Sequence, residues 1–478
     1  MYREDTTETG PLGNIGEHRV RLTEQEAQLN LRTVLQLCAA GRLRCSEKTM
    51  RPSSATISIV VSHLAGGEFY LLDPIASFAW PLLVHAGGLA KLEGGRLQLT
   101  AKGRTALRKP PAEVIRALWQ RWVTHAVIDE FSRIEEIKGQ RARNVLSAAK
   151  PRRQAVAAAL AGCPPGEWLD VDTLFATMRR GNMSPTIARN QMALWKLYLG
   201  DAQYGSMGYD GYYRWEMLEG RYTLAVLFEY AGTLGLFDLD YIHPTGARED
   251  FQDNWGGEEL DALSRYDGLQ AIRLTALGRY TLGLTDSYQP PAGDEEARVL
   301  KILPNLDVVA TGTLSPGDQI LLSAYAEHTA DRVWIVSAAS LLAALDTGRD
   351  LEEFTRFLAQ RAENELPGSL ETLIGDVTRR ATQLTDLGHA RVIECADPAL
   401  AALIARDRTL RTLCRPIEER HVAVPLEAEL KFRTALRKLG YVLPEQPTPW
   451  ATRSTPRRQF AGVGEAEADV TRRALGQR

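Results

Sequence analysis

The segments LQLTAKGRTAL (97–107) and IRLTALGRYTL (272–282) agree at six of eleven positions, and this duplication limits the folds open to the chain more than any other feature. In the first copy Leu97 and Leu99 alternate with Gln98, the pattern of a strand with one face buried. Thr100 then closes the strand and caps a helix, its hydroxyl accepting a backbone N–H. Gly103 falls in the first turn of that helix, where a missing Cβ lets the preceding element come close. Each copy follows an Ala-Gly-x-Leu, Ala86 to Leu89 in one case and Ala231 to Leu234 in the other. The expectation is one structural unit present twice.

The residues around the first copy predict the rest of that unit. Thr23 is placed to cap a helix carrying Leu31, Val34, Leu35 and Cys38, and an extended piece over 43–46 leads to a second helix begun by Ser53. A third helix runs from Asp73-Pro74 to Gly87, and two short strands flank Gly94-Gly95 as a hairpin. Helix, helix, helix, hairpin is the order of a winged helix. The second copy repeats it over 151–290 with an acidic, Trp-bearing insertion at 241–268, where a hairpin tip tolerates one. Between the two, Pro110-Pro111 opens a helix expected from 112 to about 138, with Val114, Leu118, Trp122, His125, Ile128 and Phe131 on one face. It reads as a spine joining the units, followed by a basic linker over 141–153. From about 298 short strands alternate with helices, which means an α/β or α+β domain.

The predicted fold class is therefore α+β and multidomain: a disordered leader (1–20), winged helix 1 (21–109), spine helix and linker (110–150), elaborated winged helix 2 (151–290), an α/β domain (291–445) and a flexible tail (446–478). The α/β domain is expected to fold alone. No window is long and apolar enough for a membrane span, and five scattered cysteines without a C-x-x-C pair fit a reducing cytoplasm.

The blocks LKILPNLDVVATG, WIVSAASLLAALDTGRDLEEFTRFL, LPGSLETLIGDVTRR, ARVIECADPAL and FRTALRKLGYVLP, in that order over 300–444, resemble the helicase-associated domain at the N-terminus of XPB-type helicases and of many bacterial proteins. The resemblance implies a DNA-facing module that works with a helicase. In XPB-type helicases a motor follows this domain, whereas this sequence has no G-x-x-x-x-G-K-[ST] loop and no Gly-Lys dipeptide anywhere.

No other catalytic constellation stands out. The eight histidines are scattered, there is no G-x-S-x-G, and no metal or cofactor is expected. Asp129-Glu130 read as solvated helix charges, and Glu429-x-Lys431 as the start of a helix rather than a metal-nuclease site.

Charge divides the chain. Over 21–150, 19 Lys and Arg face 11 Asp and Glu; over 196–290 the numbers are 7 and 15. Lys91, Arg96, Lys102, Arg104, Arg108 and Lys109, on the first hairpin and the helix after it, are the candidate phosphate contacts. The third helix would lie in a major groove, and its Phe78, Trp80 and Leu83 promise little base reading. In YGSMGYDGYYRW (204–215), Tyr204, Tyr209, Tyr212, Tyr213 and Trp215 are candidates for stacking unpaired bases, worth ~1–3 kcal/mol each. The functional expectation is a non-catalytic DNA-binding protein, on duplex or partly unpaired DNA, acting with a helicase or nuclease supplied in trans, in DNA processing or phage defence. The alternative is a scaffold whose winged helices bind protein, the acidic, aromatic middle segment docking a basic partner.

Overall fold

The computed structural model describes residues 16–291 and 297–444. The tail expected at 446–478, residues 1–15 of the leader and the centre of the Pro/Gly-rich linker (292–296) lie outside the described residues. The chain divides into two compact units, Met1–Gln383 and Leu384–Arg478.

The first unit opens with β1 (Arg19–Arg21), α1 (Glu24–Ala39), α2 (Ser54–Val61), α3 (Ala76–Ala86), β2 (Ala90–Glu93), β3 (Arg96–Leu99), α4 (Ala101–Ala106) and α5 (Pro111–Thr124). It continues with α6 (Ala149–Ala161), β4 (Trp168–Asp170), α7 (Val171–Arg180), α8 (Gln191–Leu194) and α9 (Arg221–Ala225), the last flanked by π-helical Glu216–Gly220 and Val226–Gly232. Then come β5 (Phe237–Tyr241), β6 (Leu269–Leu274) and α10 (Ala276–Thr281). Arg19 and Val20, placed in the expected leader, belong to β1, which pairs antiparallel with β5, giving a sheet of order β1-β5-β6-β4 that joins the two ends of this region. Thr23 does not cap α1. Its hydroxyl donates to the Phe237 carbonyl at 2.7 Å and its N–H to Asp238, so it fastens α1 to β5 instead.

The duplicated segment has one geometry in both places. Thr100 and Thr275 each accept the N–H of the glycine three residues on, at 3.0 and 2.8 Å. Each hydroxyl also reaches back to a strand-entry carbonyl, of Gly88 and of Gly235. A Cβ on Gly103 or Gly278 would stand 2.0 Å from the carbonyl oxygen of Leu89 or Leu236, so nothing larger than hydrogen fits. The equivalent turns are therefore Gly88-Leu89 and Gly235-Leu236, both glycines having positive φ. The two Ala-Gly-x-Leu motifs are out of structural register by two residues.

Both third helices are core. In α3 every residue from Ala76 to Ala86 except His85 is buried, and so is all of 217–232. A helix apolar on every side has no solvent face to offer. The expected placement of α3 in a major groove is corrected on that ground.

The spine helix is shorter than the apolar spacing predicts, ending at Thr124. The Trp122 and Val123 carbonyls left free there accept from the Arg153 guanidinium, both at 3.1 Å, which caps the helix C-terminus. Arg153 also pairs with Glu130 at 3.0 Å, and Tyr222 donates to the same carboxylate at 3.1 Å. Glu130 is fully buried, and burial pushes its carboxyl up to about 7 against the pull of Arg153. Asp129 binds Arg152, another buried residue of α6. Asp129-Glu130 are therefore not solvated helix charges, and Arg152 and Arg153 are not linker. What α5 does supply is the join: Trp119 stacks on Trp122, and Trp122 on Tyr230 of the second third helix, with centroids 5.2 and 4.5 Å apart.

The rest of the first unit comprises β7 (Leu300–Ile302), β8 (Asp307–Ala310), α11 (Pro316–Tyr325), β9 (Ala326–Ala330), β10 (Val333–Val336), α12 (Ala338–Asp346), α13 (Leu351–Arg361) and α14 (Gly368–Ala381). A sheet of order β7-β8-β10-β9 carries its own core, centred on Leu322, Leu341, Phe354 and Leu358. α11 lies on α1 so closely that a Cβ on Gly317 would come 3.0 Å from the Thr33 hydroxyl. Gln36 donates to Glu353 at 2.9 Å and accepts from Arg349 at 3.0 Å.

The second unit holds β11 (Ala390–Glu394), α15 (Pro398–Arg406), β12 (Arg415–Glu418), β13 (His421–Pro425) and α16 (Glu429–Lys438), with an antiparallel sheet of order β11-β13-β12. Its core is separate, formed by Ile404, Leu410, Val422, Val424 and Phe432. The range 291–445, expected to be one self-standing module, thus has two cores and divides at Gln383. Glu429 opens α16 and is held by Arg433 at 2.9 Å and Arg391 at 3.2 Å.

Candidate nucleic-acid interface

β2 and β3 form the expected hairpin, and a third extended piece completes a small sheet. The Leu97 N–H donates to the Leu43 carbonyl at 2.9 Å, the Cys45 N–H to Gly95 at 3.1 Å, and Arg44 bridges Arg96 directly. Thr56 holds this piece in place, its hydroxyl accepting the Arg44 N–H and donating to the Arg44 carbonyl. Leu43, Cys45, Leu97 and Leu99 face the core, so Arg44, Arg96 and Gln98 face out.

Directly opposed residues of an antiparallel pair stand about 5 Å apart at Cβ on one face, and like charges there repel. Arg44 and Arg96 are such a pair. Neither guanidinium has a hydrogen bond or ion pair among the described residues. Glu93, opposite Arg96 on its other side, is taken by Lys91 at 2.8 Å, and Glu47 is turned to the Gly95 N–H at 2.9 Å.

The six predicted phosphate contacts are sorted by what they already touch. Lys91 is paired with Glu93. Lys102 donates to the Gly87 carbonyl at the end of α3, at 2.9 Å, and Arg104 to Leu99 at 3.2 Å. Arg108 is ion-paired with Asp350 and lies 3.8 Å from Glu352, both at the start of α13. Arg96 and Lys109 make no side-chain hydrogen bond or ion pair among the described residues. Arg96, Arg104 and Arg108 converge on one cleft of about 310 Å³, shared with Arg349, Asp350 and Glu353. Arg44 escaped the sequence reading, because its meaning comes from its cross-strand partner 52 residues away.

The five aromatic candidates differ in what holds them. Trp215 donates to the Ser184 hydroxyl at 2.7 Å and packs edge-on against Phe175. Tyr213 donates to Glu219 at 3.0 Å, and burial together with that carboxylate pushes its phenol up. Tyr212 meets the edge of Tyr209, and its carbonyl accepts from Asn254. Tyr204 lies open at 54% exposure, and Tyr209 is exposed at 40%, as Tyr213 is, its hydroxyl donating to the Gln203 carbonyl at 2.6 Å; beside them stand Trp255 (51%) and Trp195 (47%), which the sequence does not single out. Tyr204 lies against Trp255 and Tyr209 against Trp195, with centroids 5.4 and 5.1 Å apart.

The glycines of this stretch make the arrangement possible. A Cβ on Gly208 would sit 2.3 Å from the Trp195 ring, one on Gly205 only 1.9 Å from the Leu199 carbonyl oxygen. Gly200 and Gly256, both at positive φ, cross backbone to backbone and bring Trp255 to Tyr204.

Every cation of 183–215 and 242–268 is already engaged. Arg189 binds Asn144, and Lys196 the Arg143 carbonyl. Arg214 pairs with Asp253, Arg248 with Asp172, and Arg265 with Asp73. Among the described residues no group of three or more His, Cys, Asp or Glu side chains could hold a metal ion, and no helix is long and apolar enough to cross a membrane.

No curated protein matches the chain. Residues 300–416 match the family described as the helicase conserved C-terminal domain, so a helicase-associated domain occupies the C-terminal part of the chain.

Proposed function

We propose that the chain is a non-catalytic, DNA-binding accessory protein of a helicase system, with two winged-helix units ahead of a domain of the XPB-associated kind. The observation that carries this reading is the opposed Arg44–Arg96 pair, two outward guanidiniums without a hydrogen bond or ion pair among the described residues, the Glu93 carboxylate across from Arg96 being held by Lys91. A phosphodiester backbone supplies closely spaced anions along such an edge, and Lys109 extends the set. The contact is to backbone rather than bases, because both third helices are buried and the hairpin face offers only Gln98 and Glu93 beside its cations. Binding with little sequence preference follows. The domain matched at 300–416 argues for a helicase context, and a motor would then be supplied by another protein. Mobility shifts of a mixed-sequence duplex across a salt series test the proposal. Affinity should fall steeply and log-linearly with salt, as counterion release requires. Binding that ignores salt, or no shift at micromolar protein, overturns it.

A further inference from the structure

We infer that the aromatic surface formed by Trp195, Tyr204, Tyr209 and Trp255 docks an Arg- or Lys-rich segment of a protein partner, and is not a base-stacking platform. The inference concerns a different face from the one that carries the DNA reading, and it names a class of partner for that accessory role.

The argument is one of charge left over after the internal pairs are made. Three of the five cations of the two segments that build this surface are paired with carboxylates, and Arg189 and Lys196 are hydrogen-bonded to neutral oxygens. Five carboxylates of the same segments, Asp210, Glu249, Glu258, Glu259 and Asp261, are exposed and make no side-chain hydrogen bond or ion pair among the described residues. Asp210 follows Tyr209 directly, and Glu258 and Glu259 lie just beyond Trp255. A nucleic-acid strand laid on these rings would bring its phosphates against free carboxylates, in segments that hold nine Asp and Glu against five Arg and Lys. Sites that stack single strands combine their aromatics with a positive groove. This surface has the opposite sign.

A cationic chain meets the reverse conditions. Guanidinium and ammonium groups are drawn to the faces of Trp and Tyr by the ring quadrupole, and to the carboxylates by Coulomb attraction. The rings come as two pairs and the carboxylates are spread over 210–261, so the fit is to several cations on one flexible segment rather than to a single small cation. The rings are also pre-set. The backbone approaches at Gly200, Gly205, Gly208 and Gly256 hold them, so little ordering is needed on binding.

The test uses the full chain and a fluorescein-labelled oligo-arginine peptide, read by anisotropy, with labelled oligo-dT as the rival probe. Trp195→Ala combined with Trp255→Ala leaves the protein's charge unchanged, so a loss of about tenfold or more in peptide affinity reports the rings rather than the net field. Glu258→Gln combined with Glu259→Gln alters two exposed side chains that make no hydrogen bond or ion pair among the described residues, and should weaken the peptide by about threefold at low salt and less at high salt. Peptide affinity equal in wild type and both variants overturns the inference. So does oligo-dT binding that the Trp variant abolishes while peptide binding persists. Loss of duplex binding in Arg44 and Arg96 variants bears on the DNA reading alone.

Discussion

The hairpin edge and the aromatic surface are built by the same device and left with opposite charge. At the edge, Gly103 lets α4 press on the Leu89 carbonyl; at the aromatic surface, Gly205 lets the chain press on the Leu199 carbonyl. Each close approach fixes a turn that presents side chains outward. After internal pairing, the edge retains Arg44, Arg96 and Lys109 without partners among the described residues, and the aromatic surface retains an excess of carboxylates. Residue counts blur this, since Arg and Lys occur in both places. Four of the six predicted phosphate contacts at the edge are occupied by a carboxylate or carbonyl of their own, and so are four of the five Arg and Lys side chains of 183–215 and 242–268, the fifth, Arg189, being held by the Asn144 side-chain oxygen. The charges that remain unspent are the ones that can recognise something.

The strongest way to break the comparison is to destroy one surface at a time. Gly103→Ala forces a Cβ to 2.0 Å from a carbonyl oxygen, and Gly205→Ala to 1.9 Å. Each should cost on the order of 3 kcal/mol in a thermal or denaturant melt. The first should remove duplex binding and spare oligo-arginine; the second should do the reverse. Loss of both activities in either variant would show the two surfaces to be one cooperative site.

Charge reversal sharpens the edge without touching its packing. Arg44→Glu with Arg96→Glu should lower duplex affinity by about a hundredfold at low salt, with far less effect at high salt. The single change Arg44→Gln separates binding from folding. It should weaken duplex binding yet raise the melting temperature of the free protein by about 1 °C at low salt, because a like-charge opposition is relieved. A fall in melting temperature would mean that the Arg44 side chain is structural. The smallest effect belongs to Arg108→Ala. It removes a half-exposed pair with Asp350, should cost about 0.5 kcal/mol or less, and should leave duplex affinity unchanged, because that cation is already spent.

What the sequence made legible was local. Thr100 and Thr275, their glycines and the Gly94-Gly95 hairpin are signals contained within a few residues, and each stands where the pattern placed it. The spine helix shows the limit. Its apolar spacing runs on past Thr124, but the carbonyl partner that ends it, Arg153, comes from about thirty residues downstream. Burial of α3 is equally non-local, since Phe78, Trp80 and Leu83 announce a core face and nothing in the helix itself says that the opposite face is covered too. The aromatic stretch could be seen in composition, but its exposed partners come from outside it, Trp255 through a backbone crossing at Gly200 and Gly256 and Trp195 against the bare backbone of Gly208. The unity expected of 291–445 failed for a related reason: α11 carries a small residue where it meets α1, a fit that only the partner helix reveals.

The central claim is that the opposed arginines are unspent charges waiting for phosphate. The most direct measurement is the slope of log affinity against log salt for a mixed-sequence duplex, compared between the wild-type chain and the Arg44→Gln, Arg96→Gln double variant. Each phosphate contact contributes about 0.9 to that slope, so removing two should make it shallower by about 1.8. An unchanged slope, with affinity equal to wild type at low salt, would contradict the account.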